Sequence, residues 1–245
     1  MTCAARKALE KGLCVVWPIE ADTSYSTLEA LAGEYERKII PFAPLLSTPR
    51  SLHLERIVRG GELGEIGTVT HHRTQNMTNT LDMKSDALSL ALNDIALIRR
   101  FFGDSSQVFA THVTTPPAGR SSGTDFLTVC LALKNGAIAS VVCHVGESLA
   151  ARFSFDYSGC RGNLIHDGEE GLTATNLDDS LDEWNGVETA WMELLLRLRE
   201  NKSPAYSVEE WLEDLKTIQA IRVSAETFKP QTLAGGKIDA IANVK

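Results

Sequence analysis

Residues 124–146 read TDFLTVCLALKNGAIASVVCHVG, with Leu127, Val129, Leu131 and Leu133 alternating before Asn135-Gly136 and Ala139, Val141, Cys143 and Val145 alternating after it. A period of two belongs to strands, whose successive side chains point to opposite faces. Asn-Gly between two such runs marks a tight hairpin, because its central positions take positive φ cheaply. The stretch therefore predicts two antiparallel strands, over 124–134 and 137–147. The same period extends the sheet in both directions, with further strands over 107–114, 151–158, 162–167 and 172–175.

A sheet with one apolar face needs cover. Residues 85–102 supply it: Leu88, Leu92, Ile95, Leu97, Ile98, Phe101 and Phe102 make a broad apolar helix surface that closes at Gly103. Residues 187–199 and 208–228 read as two more amphipathic helices, and 48–59 as another, ending at Gly60-Gly61 and feeding a strand over 66–75. Ahead of these, a helix over 4–11 capped by Gly12, an apolar strand over 13–16, a helix over 23–36 and a strand over 38–42 follow the order of parallel α/β wrapping. Two short parallel strands leave edges unpaired. The expected fold class is thus α+β, a mostly antiparallel open sheet with helices on one face, preceded by a remnant of a parallel α/β, Rossmann-type domain. The expected division is 1–44 for that remnant, 45–233 for the sheet domain and 234–245 for a tail.

Composition narrows the function. The 245 residues carry 24 Lys and Arg against 32 Asp and Glu, a net charge of −8 with no basic patch, which argues against nucleic acid and anionic membranes as partners. No apolar run approaches the roughly 20 residues of a membrane span. Cys3, Cys14, Cys130, Cys143 and Cys160 are scattered, without C-x-x-C, so no disulfide framework and no zinc site is expected, and a reducing cytoplasm is the expected location. Cys130 and Cys143 read as small buried hydrophobes.

Several passages, in order, resemble the Gfo/Idh/MocA family of two-domain, nicotinamide-dependent oxidoreductases. Gly61-Glu62-Leu63-Gly64-Glu65-Ile66 is similar to the family's entry into its second domain; Asn93-Asp94-Ile95-Ala96 through Phe102-Gly103 resembles the helix that carries G-x-H-x-x-D. Residues 8–19 resemble the stretch ending in Glu-Lys-Pro, 28–32 the next helix, 133–137 the hairpin, Tyr157 to Gly162 the Y-G-x-x-G turn and 209–225 the last helix. Val16-Trp17-Pro18 also resembles the Glu-Trp-Pro of the branch related to the fungal galactose-regulon repressor. By this resemblance the family's Lys falls at Trp17, its His at Asn93 and its Asp at Ala96, and none of the three can exchange a proton with a substrate hydroxyl. The Gly-rich pyrophosphate turn is missing as well: Gly61, Gly64 and Gly67 follow a helix rather than a strand, and read as a helix terminus and turn.

The candidate pocket residues are Trp17, His71, His72, Arg73, Gln75, Asn93 and His144. Alternation puts His71, Arg73 and Gln75 on one strand face and His72, Thr74 and Asn76 on the other. Each face is either solvated or turned to the cleft that the family places between its sheet and the helix bearing Asn93. His71 and His72 point apart and do not form a metal site. Trp17 either packs in a core or lines the pocket; Asn93 either bonds a neighbouring backbone group or touches a ligand. His144 and Arg152 are expected to face one another across a hairpin. Together these readings give a degenerate, truncated relative that binds a small molecule or runs non-redox chemistry, isomerisation or cyclisation, with no cofactor and no metal, as a homo-oligomer. Two alternatives stand beside it: an N-terminally incomplete NAD(P)-dependent oxidoreductase, and a non-catalytic regulatory partner of an intact family member.

Overall fold

Asn135-Gly136 closes a hairpin between β5 (Thr124–Leu133) and β6 (Ile138–Gly146) in the computed structural model, which describes residues 2–35, 38–76, 86–115, 123–146, 149–167, 172–174, 187–200 and 202–233. Gly136 has φ +91°, and the Asn135 side-chain oxygen accepts from the Ala137 amide at 3.1 Å. Around this hairpin stand β3 (Ile66–Asn76), β4 (Ser105–Thr115), β7 (Arg152–Gly159), β8 (Gly162–His166), β9 (Leu172–Ala174) and β10 (Gln231–Thr232). The order across the sheet is β10-β4-β5-β6-β3-β7-β8-β9. Only the β3–β6 pair is parallel; the other six ladders are antiparallel. β3 is therefore a central strand, with Val69 opposite Ala139 on one side and Tyr157 on the other.

Alternation sorts the two faces as expected. Val69, Leu127, Val129, Leu131, Ala139, Val141, Phe155 and Tyr157 are buried on the inner face, while Phe109, Val113, Phe126 and Ile138 stand exposed on the outer one. Two helices cover the inner face: α4 (Ala87–Phe102) crosses β6, β5 and β3, and α6 (Val208–Thr227) lies on β4. Each starts at a defined cap. Asp86 accepts from the Ser89 amide at 2.6 Å, and Ser207 with Glu210 forms a capping box. The helix α3 (Pro49–Arg59) starts on a Thr48 cap and leads into the Gly61–Ile66 turn. There the positive φ of Gly64, +72°, lets the backbone pass Cys160, whose Sγ a Cβ at Gly64 would approach to 2.6 Å. Gly159 is tighter, since a Cβ would sit 2.2 Å from the Leu63 carbonyl oxygen.

The first units are α1 (Thr2–Glu10), β1 (Val15–Pro18), α2 (Tyr25–Tyr35) and β2 (Ile39–Phe42), with β1 and β2 a parallel two-stranded sheet. The first strand starts two residues later than its apolar run suggests. Gly12, at φ +83°, turns the chain out of α1, and the Leu13 amide bonds back to Ala8, so Leu13 and Cys14 are exposed rather than buried. These units share one apolar core with the sheet domain. Trp17 meets Trp211 of α6 edge-on at 5.7 Å, and Arg222 of α6 donates to the Ala21 carbonyl at 3.0 Å. Helix α5 (Val187–Arg199) lies against β2 in a smaller cluster of Ile40, Phe42, Ala190 and Leu194. The expected tail, 234–245, and most of the acidic stretch before α5 lie outside the described residues.

Candidate functional site

On the apolar stripe of α4, at the helical spacing Ala87, Ala91, Asp94, Ile98, Phe101, one position is a carboxylate, and every residue of the stripe is buried. A buried carboxylate has to be paired or bonded. Asp94 is both. Arg73 donates to it through Nε at 3.0 Å and Nη2 at 2.8 Å, a two-pronged grip, and His71 Nδ1 lies 3.0 Å from Oδ1. Arg73 and His71 are i, i+2 neighbours on the inner face of β3, so alternation alone brings both beneath α4. His71 Nε2 lies 2.9 Å from the hydroxyl of Tyr157 on β7.

The donors follow from the partners. An ionised carboxylate only accepts, so Nδ1–H of His71 donates to Asp94, and its Nε2 stands within hydrogen-bond distance of the Tyr157 hydroxyl. Burial alone would raise the Asp94 carboxyl, but the Arg73 charge and the bonds from His71 and Arg73 outweigh it and hold that group well below the usual carboxylate range. Burial pushes the Tyr157 hydroxyl and the Cys143 thiol up, so both stay protonated. Cys143 of β6 stands 3.9 Å from Asp94 Oδ2. Phe102 and Phe155 wall in Tyr157, with ring centroids 4.9 and 4.5 Å from its own.

Only one member of this network reaches outward. Asp94 and His71 have no exposed side chain, whereas Arg73 keeps 14% of its own and lies over the Phe153 ring at 4.1 Å. Its Nη1 makes no bond to Asp94, so it can donate to a further carboxylate or carbonyl while Asp94 and Phe153 fix its plane. The Tyr157–His71–Asp94 chain is the rigid base of that donor. It ends on the buried Tyr157 hydroxyl, in a residue that is 1% exposed.

The other candidates fall into separate places. Gln75 follows Arg73 along the inner face, half-buried. Asn93, half-buried on α4, donates from Nδ2 to the Ser89 carbonyl at 3.1 Å, the bond to a neighbouring backbone group. Trp17 is in the core against Trp211; both indole nitrogens are buried, with no hydrogen-bond acceptor among the described residues. His72 and His144 are on the outer face, away from Asp94; His144 packs on Phe126, and burial followed by the nearby His72 lowers its pKa. His144 and Arg152 do not face one another, because β3 lies between their strands and both are opposite Thr74. Cys130 is exposed on the outer face rather than buried. Asp94, Tyr157 and Phe153 went unnoticed as site residues in the sequence, although a charged residue inside an apolar helical stripe was a readable signal for the first.

A second His–carboxylate pair caps α4: Asp125 accepts from the Ala87 amide at 2.8 Å and pairs with His112 at 2.6 Å. Among the described residues no cluster of three or more His, Cys, Asp or Glu could hold a metal ion, and no helix is long and apolar enough to cross a membrane. A nicotinamide dinucleotide needs a backbone cradle for its pyrophosphate. The glycine-spaced turn at Gly61, Gly64 and Gly67 does not fit that group, because Cys160 and Arg161 already fill the space above Gly64.

No protein-family model and no curated protein matches the chain. Solved structures do. An oxidoreductase from Thermotoga maritima aligns with a TM-score of 0.76 at 19% identity, covering 94% of this chain and 74% of its own. An oxidoreductase from Agrobacterium radiobacter, in complex with NAD+, L-tartaric acid and magnesium, aligns at 0.73 and 14%, covering 94% and 76%. A myo-inositol dehydrogenase from Corynebacterium glutamicum aligns at 0.72 and 15%, covering 96% and 77%. These likenesses overturn the expectation of cofactor-free, non-redox use of the pocket, since the proteins sharing this arrangement over nearly the whole chain are oxidoreductases, one of them with NAD+ bound. The chain has the mixed α/β fold, with its mostly antiparallel sheet, of Gfo/Idh/MocA-type oxidoreductases.

Proposed function

We propose that this chain is the substrate-binding part of a nicotinamide-dependent oxidoreductase acting on a small hydroxy compound that carries a carboxylate or carbonyl. The observation that carries this reading is Arg73, held in plane by Asp94 and Phe153 with donors to spare, in a fold shared with such enzymes. Arg73 binds and orients the substrate, and Asp94, His71 and Tyr157 hold Arg73 in place. The cofactor would supply the hydride acceptor. Its phosphates need residues other than the Gly61–Gly67 turn. In this reading residues 1–44 belong to a dinucleotide-binding unit and 45–233 to the substrate domain, and the free Cys14, Cys130, Cys143 and Cys160 suit a reducing, cytoplasmic setting. The partly apolar outer sheet face, with Phe109, Val113, Phe126 and Ile138, suits a homo-oligomer contact.

One observation favours a second, non-catalytic reading as a regulatory partner. Trp17, which resemblance puts at the family's Lys, is locked in the core, and Asn93, at its His, is bonded to its own helix. Calorimetric titration with NAD+ and NADP+, followed by turnover assays against polyols and hydroxy acids, separates the two. Nucleotide binding with turnover that falls in Arg73→Met supports the oxidoreductase. Absence of both nucleotide binding and turnover refutes it.

A further inference from the structure

Helix α5 buries a narrow edge and exposes a broad apolar one. Ala190 and Leu194 pack against Ile40 and Phe42, and Trp191 stacks on the Phe42 ring at 4.2 Å while staying 40% exposed; Met192, Leu195, Leu196 and Leu198 are each between 36 and 58% exposed. Four large apolar side chains on the outside of one 13-residue helix, with the outer part of Trp191 beside them, exceed what a solvated helix face usually carries. The charges around them are placed with a particular symmetry. Glu188, Met192, Leu195 and Arg199 follow the spacing i, i+4, i+7, i+11 and so form one stripe, acidic at its first turn and basic at its last. Neither Glu188 nor Arg199 is in an ion pair among the described residues.

That stripe is complementary to itself when reversed. In an antiparallel pair of α5 helices related by a two-fold axis between Glu193 and Leu194, Glu188 meets Arg199 of the other copy, Met192 meets Leu195 and Trp191 meets Leu196. Glu188 and Arg199 are about 16 Å apart along one helix, too far to pair internally, so each is available to the other copy. We infer that this face of α5 is a self-association surface whose occupant is a second copy of the chain, docked through its own α5 in the antiparallel sense. The surface is distinct from the outer sheet face and does not depend on the reaction proposed above. One helix pair is at the small end of specific interfaces, so the association is concentration-dependent.

Sedimentation equilibrium of the whole chain over a range of concentrations tests this. Glu188→Arg and Arg199→Glu each place like charges at both ends of the contact and are expected to raise the dissociation constant about tenfold, which lowers the weight-average mass by roughly a quarter at intermediate concentration. The double variant Glu188→Arg/Arg199→Glu restores opposite charges across the axis and is expected to return to the wild-type mass. Leu195→Glu is expected to abolish this association. Far-ultraviolet circular dichroism should stay unchanged in the charge variants, whose side chains are exposed. A wild-type chain whose mass stays monomeric at the highest soluble concentration would overturn the inference. So would a double variant no better associated than either single one, or a mass indifferent to Leu195→Glu.

Discussion

Replacing Asp94 by Asn keeps the shape of the α4 side chain but removes the charge that the buried network is built around. The Arg73 guanidinium then loses its counter-ion in a largely desolvated position, and His71 loses a charged acceptor. Breaking a buried pair from one side costs about 3–5 kcal/mol. Arg73 keeps 14% of its side chain exposed and can recover some hydration, so the lower end, about 3 kcal/mol, applies. With a urea slope of about 2–3 kcal/mol per molar, the unfolding midpoint should fall by about 1 M, read by circular dichroism. Adding Arg73→Met should recover part of the loss, because it removes the stranded charge. The pH dependence has a fixed sign. The folded pKa of Asp94 is depressed, so its contribution is complete above the unfolded value of about 4 and is lost as pH falls below that toward the folded one. The gap between wild type and Asp94→Asn should therefore be flat from about pH 7 to 5 and narrow below about pH 4. A midpoint within about 0.2 M of wild type at pH 7 would refute the pairing as the source of that stability.

The His112–Asp125 pair should titrate in the opposite sense. Its bond to Asp125 raises the His112 pKa, with Asp86 adding to that and Arg222 opposing, so the stabilisation is full below the unfolded value of about 6.5 and is lost as pH rises through the folded one. The melting-temperature difference between wild type and His112→Gln should accordingly be larger at about pH 6 than at pH 8.5. Gly159→Ala pushes a Cβ into the Leu63 carbonyl and should destabilise by about 3 kcal/mol or more, measured by urea unfolding, unless the Gly61–Ile66 turn can move aside. Tyr206→Phe removes the hydroxyl that donates to buried Asp214, itself gripped by Arg99 at 2.6 Å, and should cost about 1–2 kcal/mol in the same assay.

Local signals wrote much of this fold into the sequence. Asn135-Gly136 fixed its hairpin because turn chemistry depends on two adjacent residues, and the long apolar face of α4 identified its cover because helical period is a short-range property. What stayed hidden was the pairing of distant segments. Val69 lies beside Ala139, with two strands and a helix between them in sequence, and no local pattern distinguishes that parallel neighbour from an antiparallel one. The site shows the same division. Alternation grouped His71 with Arg73 and separated His72, yet which group is buried depends on where α4 lands. Asp94 looked like an ordinary helix carboxylate beside Asn93, since its partners come from β3, 21 and 23 residues away. Its place among Ala87, Ala91, Ile98 and Phe101 was the one local sign that it faces inward.

The central position of β3 sets the order in which this chain can acquire its structure during synthesis. Both of its neighbours, β6 and β7, emerge from the ribosome well after it, so β3 leaves the exit tunnel with both edges unsatisfied and waits through the making of α4, β4 and β5. Its sequence is suited to that wait: IGTVTHHRTQN has only Ile66 and Val69 as large apolar residues, against threonines, histidines and an arginine that keep an unpaired strand hydrated. The hairpin of β5 and β6, which is far more apolar, closes on itself within a few residues. Within the large sheet, the apolar β5–β6 pair thus spends little time unpaired, and the more polar β3 waits longer.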